Sequence, residues 1–209
     1  RRPEPDIRIC WAQSLLVDAY VRLLIGGGKD WQDKSERMWR LYDKYGIDFI
    51  DKLRGAFAFA LWDSNAQKLI VVTDPYGIRP VVYFHKNGEY CAASRIKTLR
   101  LGINHDLEIN PDAIYHYLFF QAICSPITIY KNISKLEPGK GQIYTQDGLK
   151  EFCHYDIRYN PKHSVTEQEW CSSIFEEVKN SVGKFLPLSS PEKTGCFLSG
   201  GTDSSTIAG

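Results

Sequence analysis

The chain has 209 residues, of which 26 are basic and 25 acidic, so its formal net charge is +1 at pH 7. This balance gives no sign of a nucleic-acid-binding surface, and no apolar run approaches the roughly 20 residues of a membrane helix. We therefore expect neither nucleic acid nor a membrane among the partners. With 43% hydrophobic residues, the chain can form one sizeable core and the beginning of another.

Six cysteines are scattered along the chain without a Cys-x-x-Cys pair, which argues against a zinc site. In a chain of this length they predict reduced, mostly packed thiols and a cytoplasmic location. The chain begins with Arg1 rather than Met and stops at Gly209 inside a motif. We interpret it as a piece of a longer protein.

The first 50 residues predict strands followed by a helix. Two apolar runs, Ile7–Ala12 and Leu15–Val21, have the composition of strands, and the glycines after Ile25 indicate a turn. A helix is predicted over Ser35–Tyr45, ending at Gly46. Its apolar residues recur at helical spacing: Met38, Leu41, Tyr42 and Tyr45.

A strand with two apolar faces is predicted within Arg54–Asp63. Its large residues on one face are Phe57, Phe59 and Leu61, and its small residues on the other face are Ala56, Ala58 and Ala60. Such a strand is covered on both sides, as in a layered sandwich. Three further strands follow at Lys68–Thr73, Val81–His85 and Glu89–Ala93, and the turns between them predict a β-meander.

The second half predicts a helix, short strands and a domain boundary. Asn110-Pro111 has the pattern of an N-cap followed by proline at the first helical position, opening a helix to about Phe120. Short strands are expected between Ile127 and Cys153. We place the boundary between domains at 1–160 and 164–209.

After that boundary, Ser164 and Glu167 fit a capping box for a helix to about Phe185. An apolar residue recurs every fourth position along this helix, at Trp170, Ile174, Val178 and Val182. Thr194–Leu198 is then expected to be a short strand.

The segment after that strand has the composition of an anion-binding loop. Ser199-Gly200-Gly201-Thr202-Asp203-Ser204-Ser205 offers two glycines that let the backbone approach a phosphate, and serine hydroxyls as donors. A helix that begins near Asp203 would direct free N–H groups at the ligand. Asp203 itself would order the loop or help to hold Mg²⁺ on the phosphates. The alternative to a phosphate-binding loop is a glycine-rich turn followed by a helix cap. The full seven-residue motif after an apolar segment favours the phosphate-binding loop.

This loop resembles the SGGxDS loop of the ATP pyrophosphatases. Three upstream segments, Arg54–Asp63, Thr73–Pro80 and Ala93–Leu99, resemble the RGxFAFALWD strand, the RDPLGIRPLYY corner and the SEIKALL segment of asparagine synthetases. With four motifs in the correct order, the chain is identified as a member of the asparagine synthetase family.

The resemblance implies an α+β chain with two domains. Residues 1–160 would form a glutaminase-like αββα sandwich of the N-terminal-nucleophile-hydrolase type, and 164–209 would begin an α/β adenine-nucleotide-binding synthetase domain. The implied cofactors are ATP and Mg²⁺, and the implied substrates are aspartate or another carboxylate, with ammonia or glutamine. The residues implied to contact ATP are Ser199, Gly200, Gly201, Asp203, Ser204 and Ser205, with a weaker contact from Leu198.

Two departures from the family concern glutamine. The family's catalytic cysteine is the first residue, and its α-amino group acts as the base; here Arg1 is first and Cys10 is internal, so no glutaminase nucleophile is identified. Lys34 stands where the family has the acid that receives the ammonium of glutamine. A like charge at that position would repel the substrate, so glutaminase activity is not expected.

Three functions stay open at this point. The first is an asparagine synthetase that uses glutamine or free ammonia. The second is another ATP-dependent amide-forming ligase of this lineage, such as a β-lactam synthetase or a lasso-peptide cyclase. In the third, residues before Ser164 are a non-catalytic scaffold or a homodimerisation domain. We expect the 209-residue chain on its own to be inactive.

Overall fold

The structure, a computed structural model, describes residues 7–9, 31–161, 164–185 and 195–208. Side chains are described for residues 36–161, 164–183 and 195–208. Contacts divide the chain into two compact units, Arg1–Ile157 and Arg158–Gly209. The predicted strand Leu15–Val21 and the second half of Ile7–Ala12 lie outside the described residues, whereas Ile7–Ile9 is a strand.

The described residues of the first unit form eight strands and three α-helices. The strands are β1 Ile7–Ile9, β2 Ala58–Asp63, β3 Lys68–Thr73, β4 Val82–Lys86, β5 Glu89–Ala93, β6 Ile133–Lys135, β7 Lys140–Thr145 and β8 Gly148–Cys153. The helices are α1 Trp31–Tyr45, α2 Ile96–Gly102 and α3 Pro111–Phe120, with a 3₁₀ helix over Gly46–Lys52.

The strands form two four-stranded sheets, in the orders β1-β5-β4-β6 and β2-β3-β7-β8. β1 runs parallel to β5, and the pairs β4–β5, β4–β6, β2–β3, β3–β7 and β7–β8 are antiparallel. The predicted meander is therefore wrong, although all four strands are present and the last three lie within one residue of the expected bounds. The chain leaves β3 through the corner Asp74–Gly77 and enters the other sheet, so the two hairpins do not pair with each other.

The two sheets face each other across a shared apolar core. Ala58, Ala60 and Val71 of one sheet pack with Tyr90 and Ala92 of the other in a single cluster. These side chains are buried, the alanines at no more than 8% exposure. Small residues on β2 leave room for the large tyrosine ring opposite, which is how a layered core reaches its packing density.

Helices cover the outer face of each sheet. Phe59 and Leu61 on β2 pack with Tyr42 of α1 and Phe49 of the 3₁₀ helix. On the other sheet, Leu99 of α2 belongs to a cluster that includes Phe84, Cys91 and Ile133. Each fully buried Leu or Phe contributes about 1.5–3 kcal/mol. The layers helix, sheet, sheet, helix confirm the predicted αββα sandwich and the α+β class.

Two details of the predicted elements differ. The strand predicted from Arg54 begins at Ala58, and Ala56 is exposed before the strand starts, so only Ala58 and Ala60 form the small inner face. Helix α1 begins at Trp31, four residues before the predicted start. The predicted N-cap at Asn110 is confirmed, because its side chain accepts a hydrogen bond from the backbone N–H of Asp112.

The second unit contains α4 Glu167–Phe185 and α5 Thr202–Ala208. The capping box of α4 is formed by Thr166 and Glu169, two residues after the predicted pair Ser164 and Glu167. The described residues Gly195–Leu198 form no strand and are exposed, contrary to prediction. A strand requires a partner, and no described residue pairs with this segment.

The prediction that most cysteine thiols are packed is wrong. Of the five cysteines whose side chains are described, Cys91 is buried and Cys124, Cys153, Cys171 and Cys196 are exposed. Most are therefore not packed, because only Cys91 lies on a strand between two covered faces. No described helix combines the length and apolar character that a membrane span requires.

Candidate functional site

The predicted phosphate loop has hydrogen bonds that hold its two ends together. The Ser204 hydroxyl donates to the carbonyl of Gly201 at 3.0 Å, and the backbone N–H of Ser199 donates to the Ser204 oxygen at 3.3 Å. The hydroxyls of Ser199 and Ser204 lie 3.1 Å apart. The loop therefore closes on the first turn of α5 through Ser204.

Gly200 supplies the backbone conformation that this closure requires. Its φ is +81°, in the left-handed region that a side chain disfavours, although a Cβ there would meet no atom within 4 Å. The Ser205 hydroxyl donates to Gly201 at 2.9 Å. The backbone conformation at Gly200, rather than crowding, accounts for glycine at this position.

The residues of the loop fit an anionic ligand chemically. The side chains of Ser199 and Ser205 are exposed, and so is the carboxylate of Asp203 in the first turn of α5. Backbone N–H groups at the start of a helix lack intrahelical acceptors. Hydroxyl and N–H donors together are the groups that phosphate oxygens accept from, and an exposed carboxylate beside them can bind Mg²⁺. Leu198 is also exposed, at 65%.

The predicted glutamine pocket cannot be built from the described side chains. Lys34 lies on α1, but its side chain is outside the described residues, as is the whole of Cys10. The interpretation of Lys34 as a repulsive residue therefore stays a prediction. The expectation that the chain has no glutaminase activity also stays a prediction.

A buried carboxylate at the corner between the sheets accepts three backbone hydrogen bonds. Asp74 is fully buried. Its Oδ1 accepts from the backbone N–H groups of Tyr76 and Ile78 at 3.0 and 3.1 Å, and its Oδ2 accepts from that of Arg79 at 2.9 Å. The carboxylate thus sets the path by which the chain crosses from β3 to β4.

Neighbouring segments tie this corner to the start of β7 and the end of β8. The backbone N–H of Gly139 donates to the carbonyl of Asp74 at 3.0 Å, and a ring nitrogen of His154 lies 2.9 Å from the carbonyl of Thr73. A Cβ at Gly139 would come within 2.3 Å of the Tyr155 carbonyl. The approach of these backbones explains why glycine follows Pro138.

A second polar group lies between the two sheets. The buried Tyr90 hydroxyl donates to Gln142 Oε1 at 2.8 Å, and Gln142 Nε2 donates to Glu151 at 2.7 Å. Burial raises the pKa of Tyr90 well above its ordinary value, so the phenol stays a donor. The Tyr83 hydroxyl also donates to Glu151, at 3.3 Å. These bonds satisfy polar atoms that the sandwich would otherwise bury unpaired.

The sequence places Asp74 in the corner segment Thr73–Pro80 but does not predict its burial, and it does not predict the pair Tyr90–Gln142. The signal for Asp74 was available, because an Asp at the start of Asp-Pro-x-Gly bonds the backbone two residues on. Tyr90 and Gln142 are separated by 52 residues, so no local pattern joins them.

Comparison with known proteins identifies the family of this chain. A family model described as a glutamine amidotransferase domain matches residues 22–155. The chain belongs to this family of glutamine amidotransferase domains. Within the family it is similar to the asparagine synthetases, as its four motifs predicted. "Asparagine synthetase [glutamine-hydrolyzing] 1" of Bacillus subtilis is 34% identical over 175 residues. The match covers 83% of this chain and 27% of that protein.

Another relative carries a different name. "Amidase chry2" of Gibberella zeae is 32% identical over 175 residues, covering 81% of this chain and 25% of that protein. The chain thus spans about a quarter of the length of these two relatives.

Among solved structures, the glutamine phosphoribosylpyrophosphate amidotransferase of Bacillus subtilis overlaps with a TM-score of 0.38 at 18% identity, covering 68% of this chain and 32% of that one. An overlap of this size adds no argument. The fold rests on the strand pairing and the three apolar clusters.

Proposed function

We propose that this chain is the amidotransferase-like part, together with the beginning of the synthetase part, of an ATP-dependent ligase of the asparagine synthetase type. One observation carries the proposal. A segment of the amidotransferase family is followed, in the same chain, by the Ser199–Ser205 loop. The carboxylate substrate in this proposal is aspartate, and the reaction forms an amide.

The chemistry explains why a phosphate-binding loop would accompany an amide-forming enzyme. A free carboxylate is a poor electrophile, whereas its mixed anhydride with AMP is a good one. The side-chain carboxylate of aspartate would displace pyrophosphate from ATP, and ammonia would then displace AMP to give asparagine. Binding of the leaving pyrophosphate lowers the barrier for the first of these steps.

The loop residues have distinct roles in this proposal. Gly200 and Gly201 would let the backbone N–H groups reach the phosphate oxygens, with hydroxyl donors from Ser199, Ser204 and Ser205. Asp203 would help to hold Mg²⁺, which neutralises charge on the phosphates. Leu198 would contribute a weaker contact beside the nucleotide.

The charge of Lys34 bears on which molecule donates the nitrogen. If its side chain occupies the position of the family's ammonium-binding acid, glutamine is excluded by like charge. Ammonia, or an amine on the enzyme's own substrate, would then be the nucleophile. We place this reaction in the cytoplasm.

A second candidate is a ligase of the same lineage that activates a different carboxylate, as β-lactam synthetases and lasso-peptide cyclases do. It is favoured by Lys34 and by a relative that is called an amidase. The two candidates share the adenylation step and differ in the carboxylate. A panel of carboxylates therefore separates them.

The test is carboxylate-dependent exchange of labelled pyrophosphate into ATP, measured on the full-length parent protein with aspartate and a panel of other carboxylates. Exchange with aspartate alone supports the first candidate, and exchange with another acid supports the second. Asp203→Ala should reduce exchange by about 2–4 kcal/mol of transition-state stabilisation, which is roughly 30- to 1,000-fold.

A matched control removes a carboxylate elsewhere in the same unit. Glu176 is exposed on α4, so Glu176→Ala should retain parent-like exchange. Normal exchange in Asp203→Ala, or no exchange with any carboxylate in the parent, would refute the proposed role of the loop.

A further inference from the structure

The turn between β4 and β5 contains a chemically reactive pair of residues. Of the seven asparagines in the sequence, Asn87 is the one that a glycine follows. The side-chain amide of an asparagine can be attacked by the backbone nitrogen of the next residue, and Gly88 leaves that nitrogen unhindered because it has no Cβ. Both residues are exposed at the tip of the hairpin, where solvent can reach them.

The reaction open to this pair requires water as its only other reactant. The Gly88 nitrogen loses its proton to solvent and forms a bond with Cγ of Asn87, while the side-chain nitrogen takes up a proton and leaves as ammonia. The five-membered succinimide then adds one water molecule, which opens the ring at either carbonyl. The products are aspartate and isoaspartate, and in isoaspartate the main chain passes through Cγ. No oxidant or reductant is consumed.

The folded turn opposes this attack. The φ angles of Asn87 and Gly88 are +54° and +78°, the two positive values of a type I′ turn, in which ψ of the first residue is about +30°. Ring closure requires the Gly88 nitrogen to rotate onto the Asn87 side chain, at a ψ far from this value. That rotation is blocked while Lys86 and Glu89 remain paired at the ends of the two strands.

A hydrogen bond from the other sheet holds the turn closed. The Tyr144 hydroxyl donates to the carbonyl of Gly88. Tyr144 lies on β7, is 3% exposed, and stacks on Tyr90 with ring centroids 5.1 Å apart, so its hydroxyl has a fixed position. The turn therefore opens only when this bond breaks. Opening at the tip of a hairpin is local and does not require global unfolding.

Another exposed asparagine lacks these conditions. Asn65 lies in the β2–β3 turn, and the residue after it is Ala66. The Ala66 nitrogen, which would have to attack, donates a hydrogen bond to Asp63 Oδ1 at 2.9 Å. A nitrogen that donates to a carboxylate keeps its proton, and the Cβ of alanine crowds its approach. Asn65 is thus an internal comparison within the same chain.

We propose that Asn87 is a deamidation site whose rate is set by opening of the β4–β5 turn, and that Tyr144 keeps this turn closed. Conversion introduces a negative charge between Lys86 and Glu89, and the isoaspartate product lengthens the main chain of a two-residue turn. Because such a turn fixes the strand register, the modified hairpin loses its last pair. The reaction involves neither nucleotide nor the Ser199–Ser205 loop, so it stands or fails separately from the proposed function.

Peptide mapping by mass spectrometry, during several weeks of incubation at neutral pH, tests the proposal. Digestion with pepsin in acid avoids deamidation during preparation. Asn87 should convert to aspartate and isoaspartate, whereas Asn65 should remain an amide. Conversion of Asn87 should be roughly tenfold faster or more in the urea-unfolded chain, because the folded turn must first lose the Tyr144 bond and the pairing at the strand ends.

Tyr144→Phe removes the hydroxyl that bonds Gly88 and keeps the aromatic ring. It should speed deamidation of Asn87 roughly 2- to 10-fold, the range expected for the loss of one hydrogen bond. Tyr83→Phe is the matched control, because the Tyr83 hydroxyl donates to Glu151 and not to the turn. This variant should deamidate like the parent chain. Circular dichroism checks that both variants remain folded.

A second measurement needs no variant, and it decides the matter if Tyr144→Phe does not fold. Below the unfolding transition, the rate at Asn87 in the parent chain should not change with urea, since local opening exposes little surface. A rate that rises with urea in parallel with global unfolding would overturn the proposal. So would an unconverted Asn87 in the folded chain, equal rates in folded and unfolded chains, equal conversion of Asn65, an unchanged rate in Tyr144→Phe, or an equal increase in Tyr83→Phe.

Discussion

At the scale of single residues, Asp74 has the clearest energetic consequence. Its buried carboxylate accepts hydrogen bonds from three backbone N–H groups. Asp74→Ala removes the acceptor and leaves those donors unsatisfied in a partly buried corner, which should cost about 3 kcal/mol. The measurement is the urea midpoint of unfolding at an unchanged slope.

The control for this variant is Asp43→Ala. Asp43 is exposed on α1, so its replacement should change stability by no more than about 0.5 kcal/mol. Losses of equal size in the two variants would show that the corner is not specially dependent on its carboxylate.

Tyr42 and Asp63 couple the outer helix to the β2–β3 turn in a pH-dependent way. The Tyr42 hydroxyl donates to Asp63 Oδ2 at 2.6 Å. Burial alone would raise the pKa of Asp63, but this bond, the Ala66 N–H and the charge of Lys68 outweigh it, so the pKa is lowered. Burial, with the Asp63 bond, raises the pKa of Tyr42, which keeps the proton on the phenol at pH 7.

The lowered pKa determines the sign of the pH effect. A carboxylate with a depressed folded pKa stabilises the protein above its unfolded pKa of about 4, and this contribution is lost as the pH falls through the folded value. Tyr42→Phe should be less stable than the parent chain by about 1 kcal/mol at pH 7, and the difference should shrink toward pH 2. Melting temperatures across this range measure it, and a difference independent of pH would contradict the assignment.

At the scale of elements, β2 shows how burial on two faces restricts side-chain size. Ala58 packs between the sheets, whereas Ala56 is exposed before the strand begins. Ala58→Leu should overpack the inner core and cost roughly 1–3 kcal/mol. Ala56→Leu adds the same atoms outside the core and should be nearly neutral. Thermal melting of the two variants checks the pair, and equal melting temperatures would argue against a filled space between the sheets.

The helix ends show which element boundaries local sequence can predict. The sequence predicts Asn110 as the cap of α3 because a proline follows it directly. Proline is common at the first position of a helix, so the pair Asn-Pro indicates one helix start. The start of α4 was placed two residues early. Ser164–Glu167 and Thr166–Glu169 both satisfy the capping-box pattern, and only the formed helix shows that Thr166 and Glu169 bond each other.

At the scale of the whole molecule, the main prediction is that the parent protein does not hydrolyse glutamine. The prediction rests on Lys34, which we expect to replace the acid that should bind the substrate's ammonium. A lysine at that position would oppose binding of the substrate by like charge.

The measurement is glutamate release from glutamine by the full-length protein, with and without ATP. Ammonium serves as the comparison, because it should support AMP formation where glutamine does not. Glutamate produced at a rate comparable to ATP consumption would show that the placement of Lys34 is wrong.

By itself, the sequence determined most strands, the cap of α3 and, through its motifs, membership of the family, and the resemblance to that family implied the αββα class. These conclusions depend on alternation, turn residues and motifs that involve neighbours within a few positions. The tertiary structure alone decided that β2–β3 and β4–β5 join different sheets, that Ala56 lies outside the core, and that Tyr90 bonds Gln142. It also decided that an apolar helix such as α3 is left exposed. Each of these outcomes depends on partners far away in the chain, and local patterns carry no information about which distant surface covers an element.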